Sequence, residues 1–450
     1  MEFGKRIMAA FLIASVFTVI TSGCSTEPES PKESSKAEAS SSVASEISKD
    51  TSEDTSDSQE SLNSEKEIVE SSAESSLESI EDEDDVIVGY EKNEEYNYTV
   101  YKSHVEILKY IGSDTKISIP NELSGLPVTV VGDKKTDGNN VFPNQIISVE
   151  IPDTVTTIGK SAFKNSGVIS VTIPDSVTVI DEQAFYECAN LKKVKLPMNL
   201  EVVGDSAFYG CSNESIFDDK LILPESLKEL GNGAFCASGV KEVVIPDQLN
   251  SIPDYCFENC QNLTDIKLGN GIKTIGAKAF MNAVSLKKID FPENLEEINV
   301  GAFGQCSLES LELPDNVKIA NLAFSFNVFK EITIPKGTSY TVNNIEQYCQ
   351  FQYCKNLEKV TVNSEFVAAG MFQDCDNLTD VYLSKDVVSI GGNAFAKTGN
   401  TVMNIHIPDN VEVIEKFHQG TWEKSYVIYG KKGSEAEKYA TSNGIKFVEE

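Results

Sequence analysis

Three histidines and ten cysteines are the side chains of this chain best suited to chemistry. Histidine and thiolate ligate zinc, and a thiolate beside an imidazole is a nucleophile. Their spacing argues against both. His104 lies far along the chain from His406 and His418, so no three-histidine site forms; His406 and His418 read as exposed surface histidines rather than a zinc pair. No cysteine stands close in sequence to a histidine. A Gly-x-Ser-x-Gly elbow, a phosphate-binding glycine loop, His-Glu-x-x-His and Cys-x-x-Cys are all missing. The reading is of a protein that is not an enzyme and uses no metal and no cofactor. Six cysteines instead keep a register: Cys188, Cys211, Cys260, Cys306, Cys354 and Cys375 each follow a phenylalanine by three residues. That register predicts small apolar side chains stacked inside a repeated coil, where a free thiol packs well. Cys236, Cys256 and Cys349 break it and are the candidates for any disulfide.

The elements that hold those cysteines repeat. Phe142, Phe163, Phe185, Phe208, Phe235, Phe257, Phe280, Phe303, Phe324, Phe351, Phe372 and Phe395 are separated by 21–23 residues, except for two gaps of 27. A period of about 20–29 residues is that of a leucine-rich-repeat solenoid, in which each repeat is one coil stacked on its neighbours. In the clearest coil, Val171 and Ile173 point inward and Thr172 outward, as on a strand with one buried face. Pro174, which has no backbone donor, stops that strand. Val177 and Ile180 turn inward on a second leg, and Ala184-Phe185 is expected in a helical or 3₁₀ turn. Asn190, Asn213, Asn262, Asn356 and Asn377 follow register cysteines by two residues and are expected to hydrogen-bond backbone between coils. The long gaps, around Ser212 to Lys220 and Lys336 to Gln350, read as loop insertions.

The coil from Ser170 to Leu191 resembles the BspA-type leucine-rich repeat of bacterial and protist surface proteins, whose pattern runs Val-x-Ile-Pro, then Ile-Gly, Ala-Phe, Cys and Leu. The match recurs from about Val130 to Ile414. The resemblance implies a repeat solenoid of short β-strands with turns or short helices, capped at both ends. It also implies host matrix or cell-surface proteins as targets. The expected divisions are a lipoprotein signal peptide over 1–23, a disordered Ser/Glu-rich tether over 24–85 and a capping hairpin region over 86–129. The solenoid follows over 130–426, and a strand-helix-strand cap over 427–450. Tyr98 to Tyr110 alternates around Lys102-Ser103 as a hairpin; Ser434 with Glu437 is a capping box, and Gly444 a helix stop.

The beginning of the chain reads as an address. Lys5 and Arg6 precede an apolar run from Ile7 to Ile20, shorter than the ~20 residues of a membrane span. It ends in Thr21-Ser22-Gly23-Cys24, which resembles the lipobox of bacterial lipoproteins with threonine in place of the usual leucine. Cys24 is therefore the expected lipidation site, and two acyl chains would anchor stably. From Ser25 to Asp85, 61 residues hold 19 serines, 20 acidic residues and four lysines. Such a segment buries too little apolar surface to offset the entropy of ordering. It carries half of the chain's net charge of −32, and the remainder is acidic as well, which excludes nucleic acid as a partner.

The candidate binding surface is the outward row of the first strands: Glu150, Thr172, Lys195, Ile222, Val244, Lys267, Asp290, Glu312, Thr333, Thr361, Tyr382 and His406. A second row two residues earlier includes Lys193, Glu242, Asp265, Lys288, Glu331 and Lys359. Mixed charge around Ile222 and Val244 suits an extracellular or host protein. A glycan is the second partner class, although it calls for more exposed aromatic rings than Tyr382 and Trp422 supply. The expected function is that of a monomeric, lipid-anchored binding or adhesion protein on the extracytoplasmic face of the cell membrane. The alternatives are a cell-envelope scaffold binding envelope proteins or polysaccharide, and an enzyme whose site lies in the insertions.

Overall fold

The computed structural model describes residues 86–132, 140–214, 216–341, 349–396, 401–416 and 425–450. The leader, Cys24, the acidic segment to Asp85, His418, Trp422 and residues 342–348 of the second insertion lie outside them. From Lys116 onward the chain winds as a solenoid with two strand-bearing legs, each divided into three hydrogen-bonded sheets, and a face of turns. Alternation sets the first sheet. In Ser170–Thr172 the Val171 side chain is buried while its two neighbours are exposed, and the strand pairs in register with Ser148–Glu150 of the preceding coil. After the proline corner, Val177 and Ile180 are buried on the second leg, where strands as short as Val179–Ile180 stack in parallel on Thr157–Ile158 and Val202–Val203.

The Ala-Phe leg is neither α nor 3₁₀ helix. Positive φ recurs two residues before and two residues after the phenylalanine, as at Gln183 (56°) and Glu187 (55°) around Phe185. A left-handed residue every fourth position interrupts any right-handed helix. What forms instead is a chain of tight turns, in which Ala184 N–H donates to Asp181 O, Tyr186 to Gln183 O and Cys188 to Phe185 O. The alternate amides reach the next coil: Gln183 to Asp205 O, Phe185 to Ala207 O and Glu187 to Tyr209 O. Every second amide therefore joins neighbouring coils. This backbone ladder offsets the steric cost of non-glycine residues in the left-handed region, about 1–2 kcal/mol each.

The twelve phenylalanines form one stack. Successive ring centroids are 4.7–5.9 Å apart from Phe142 to Phe395, and every ring is fully buried. The first long gap is only partly a loop. Its second half, from Ile216 to Lys220, belongs to the strand Ile216–Ile222, and Phe217 packs edge-on against Phe208 and Phe235 at 5.5 and 5.6 Å. An aromatic residue in the insertion thus fills the space that the longer coil opens.

Both ends of the stack are closed by tyrosine. At the start, three antiparallel strands, Ile87–Lys92, Tyr96–Tyr101 and Val105–Tyr110, lead into the solenoid, and Tyr110 contacts Phe142 at 6.4 Å. The first of these strands, Ile87–Lys92, extends the two-stranded hairpin expected from the sequence by a third strand. At the other end Tyr426 Oη donates to Phe395 O at 3.0 Å. The helix Glu435–Ser442 follows, with Ser434 as its N-cap and Gly444 at φ 67° beyond its end. Glu437 reaches back to the Gly433 amide at 2.6 Å, one residue earlier than in the standard capping box.

Candidate functional site

The outward row exists, but it is not one continuous ladder. In-register pairing links Glu150 to Thr172; Ile222 to Val244, Lys267 and Asp290; and Thr333 to Thr361, Tyr382 and His406. Lys195 and Glu312 belong to none of these groups, because residues 192–197 and 308–314 form no strand. The two breaks coincide with a change in burial at the residue beside the corner. Ile151, Leu223, Ile245 and Ile334 are buried there, whereas Ile173, Leu196, Phe291 and Leu313, which flank the breaks, are partly lifted out of the core. At the first break Lys193 also has φ 54°, which turns the chain away from strand geometry. Of the second row, Glu242 and Asp265 pair with one another's strands, and Glu331 lies beside Lys359.

The group nearest the C-terminus carries a stacked stripe. The His406 imidazole lies between Tyr382 and Tyr429, with centroids at 4.6 and 4.5 Å. Lys359 Nζ sits 6.0 Å from the Tyr382 centroid, and Glu450 approaches His406 Nδ1 at 3.0 Å. His406 is therefore half-buried in a stack and not a free surface histidine. His104 likewise stacks on Tyr101 at 4.5 Å and faces the buried Glu106 at 3.9 Å. Repeat spacing alone does not reveal Tyr429 and Glu450, because both lie beyond the last regular coil; the alternation Val427-Ile428-Tyr429 is the signal that could have found the tyrosine. Because the rings cover one another's faces, the stripe offers edges and hydroxyls outward, a poor platform for a sugar ring.

The thiols do a different task. Cys188, Cys211, Cys260, Cys306, Cys354 and Cys375 each donate to the carbonyl of the preceding coil's stacked phenylalanine, at 2.9–3.4 Å. Asn327 stands in the same register and donates to Phe303 O at 2.8 Å, and Tyr426 closes the series. All nine described cysteines are buried thiols outside any disulfide, Cys236, Cys256 and Cys349 included. Burial pushes the thiol of Cys260 up to about 11 and that of Cys306 to about 12, so neither supplies a thiolate near neutrality. Of the asparagines after the register cysteines, Asn377 donates to Lys355 O at 2.7 Å. Among the described residues no group of three or more His, Cys, Asp or Glu is arranged to hold a metal, and no helix is long and apolar enough to cross a membrane.

An apolar recess of the strand face, about 560 Å³, opens at the first break. It lies between residues 194–198 and the strand Ile216–Ile222, with Met198, Ile222 and Phe217 among its walls. A smaller recess of about 360 Å³ opens beside the second break, between Glu312, Thr333 and Thr361. Both are consequences of coils that leave the sheet.

The BspA type leucine-rich-repeat region matches residues 135–218, 217–328 and 297–419, in six copies. None of the curated proteins matches the chain. Among solved structures, a leucine-rich repeat protein from Bacteroides ovatus superposes with a TM-score of 0.62 at 22% identity, covering 80% of this chain and 99% of its own. This likeness is one of fold. A leucine-rich repeat protein of T. pallidum has 26% identity and a TM-score of 0.39, over 44% of this chain and 92% of its own. The pneumococcal vaccine antigen PcpA has 17% identity and a TM-score of 0.39, over 81% and 99%.

Proposed function

The chain belongs to the BspA type leucine-rich-repeat family, and from that premise we propose that it is a non-catalytic binding or adhesion protein of a bacterial cell surface. The repeat body would be held at the extracytoplasmic face by a lipid on Cys24 and carried outward on the acidic segment 24–85. As a flexible coil that segment would span about 40–47 Å, and at most about 200 Å if fully extended. The observation that supports binding is the strand face: inward positions repeat from coil to coil, while the outward row changes from Glu150 through Ile222 to Tyr382. A surface that varies over a constant core is what a repeat scaffold presents to a partner. The mixed charge and apolar centre of the row favour a protein partner.

Two measurements test this. Mass spectrometry of the membrane fraction should find a diacylated cysteine at position 24, and Cys24→Ser should release the protein in soluble form. Immobilised protein should retain purified host matrix proteins, with retention reduced by substitutions in the outward row. Retention of envelope polysaccharide or envelope proteins instead would make it a scaffold, and binding indifferent to every outward-row substitution would discard the strand face as the site.

A further inference from the structure

We propose that the recess at the first break of the strand face seats an extended, acidic segment of a partner protein, added as a strand beside Lys220–Ile222. This deepens the binding function proposed above and rests on it. The first observation is an open edge. The sheet containing Ile216–Ile222, Glu242–Val244 and Asp265–Lys267 begins at its first strand, and Lys220–Ile222 pair with Glu242–Val244 alone. The coil that should cover that edge, residues 192–197, is tied to it by one bond, from Val194 N–H to Ile216 O at 2.6 Å. Beyond that bond Asp218 has φ 50°, outside regular strand geometry, and among the described residues no further backbone bond joins the strand to that coil. An uncovered strand edge recruits another strand through its backbone groups, and adjacent recesses select alternate side chains.

The second observation is the recess beside the edge. Met198 is 63% and Ile222 60% exposed, both at positions that the repeat turns outward, so their apolar surface is left open to a partner. The third is charge. In a chain of net charge −32, the carboxylates here are already engaged: Asp218 faces Lys193 at 3.9 Å, Asp219 faces Lys241 at 3.8 Å, Glu242 faces Lys220 at 3.6 Å, and Asp175 accepts from Met198 N–H at 3.0 Å. Lys195, which lines the recess, has no ion-pair partner among the described residues, and neither has Lys192 on the same coil. The site therefore holds spare positive charge next to apolar surface and an open edge. An extended segment alternating apolar and acidic residues complements all three.

The test uses the full chain and a fluorescent ten-residue peptide of alternating glutamate and valine, with a lysine-valine peptide as its charge-reversed counterpart. The glutamate peptide should bind saturably and the lysine peptide should not. Ile222→Asp and Met198→Asp should each weaken binding about tenfold or more, as central apolar contacts do. Lys195→Glu should weaken it severalfold and flatten its salt dependence. N-methylation of alternate peptide amides should weaken it as much, since it removes the edge bonds. Lys432→Ala, in the exposed turn before the helix Glu435–Ser442 and outside the outward row, should leave binding unchanged and serves as the folded reference. No binding of the glutamate peptide, or binding indifferent to Ile222→Asp and Met198→Asp, would overturn the proposal. So would binding that appears only after residues 25–85 are cleaved off, which would make the chain's own acidic segment the occupant. Self-association abolished by Ile222→Asp would assign the edge to a second copy and would overturn the proposal equally. Retention of matrix proteins that survives these substitutions but is lost on changing Tyr382 or Glu150 would leave the broader binding function standing without this site.

Discussion

The turn face and the strand face are built by the same repeat, yet one is unbroken and the other is in three pieces. On the turn face twelve rings stack from Phe142 to Phe395, and the alternate amides of each turn reach the next coil. On the strand face the pairing fails at residues 192–197 and 308–314. The difference lies in what each position must satisfy. A stacked phenylalanine is buried between two others, so a change there is felt by both neighbours. An outward strand residue meets water, and a coil that leaves the sheet still has its core residues and turn bonds to hold it. Irregularity therefore collects where it is least costly, and two recesses lie at those breaks.

This contrast can be broken most severely in the stack. Phe257→Ala should cost about 3–5 kcal/mol, with hydrogen exchange accelerating in the coils on either side and little changed at the ends; uniform acceleration along the solenoid would show that the coils do not act as local units. Next comes Gly239, where a Cβ would collide with the Asn213 carbonyl of the preceding coil. Gly239→Ala should cost about 1–3 kcal/mol in equilibrium unfolding.

The buried thiols set a third effect through pH. Cys260 and Cys306 titrate higher folded than unfolded, because burial disfavours the thiolate. The folded state thus retains protons that the unfolded chain releases above about pH 9. Stability is complete below that pH and should fall by about 1.4 kcal/mol per pH unit for each such thiol as pH rises towards 11–12. Urea unfolding from pH 8 to 11 measures the slope, and Cys306→Ala should lower it by one proton's worth; an unchanged slope would remove the thiols as its cause.

On the strand face the effects should be smaller. Tyr382→Ala, which removes one end of the stack on His406, should cost about 0.5–1.5 kcal/mol. Thr172→Ala should fall within about 0.5 kcal/mol of the unaltered protein. A cost for Thr172→Ala as large as that for Phe257→Ala would erase the distinction between the two faces.

How much of this was legible follows the same division. Val171, Val177, Ile180 and Phe185 are buried and Thr172 is exposed, as period-two alternation and the phenylalanine spacing require. The register cysteines are legible as packing, but their bonds to the preceding phenylalanine carbonyls are not, since a thiol and a methyl group look alike in a spacing pattern. The Ala-Phe leg reads as helical because its side chains repeat at helical intervals; left-handed residues such as Gln183, Glu187 and Tyr255 carry no glycine to announce them. The insertion before Lys220 reads as a loop from its length, and only the packing of Phe217 in the core shows its second half to be a strand.

By itself the sequence determined the coil, the direction each repeated side chain faces and the line of the aromatic stack, because burial in a periodic structure is set by identity and spacing. Tertiary structure alone decided where the strand ladder stops, what the thiols bond to, and that Met198, Lys195 and Ile222 border one recess. Those outcomes depend on how neighbouring coils share backbone hydrogen bonds, and that sharing is settled between residues 20 or more positions apart, after the coils have stacked.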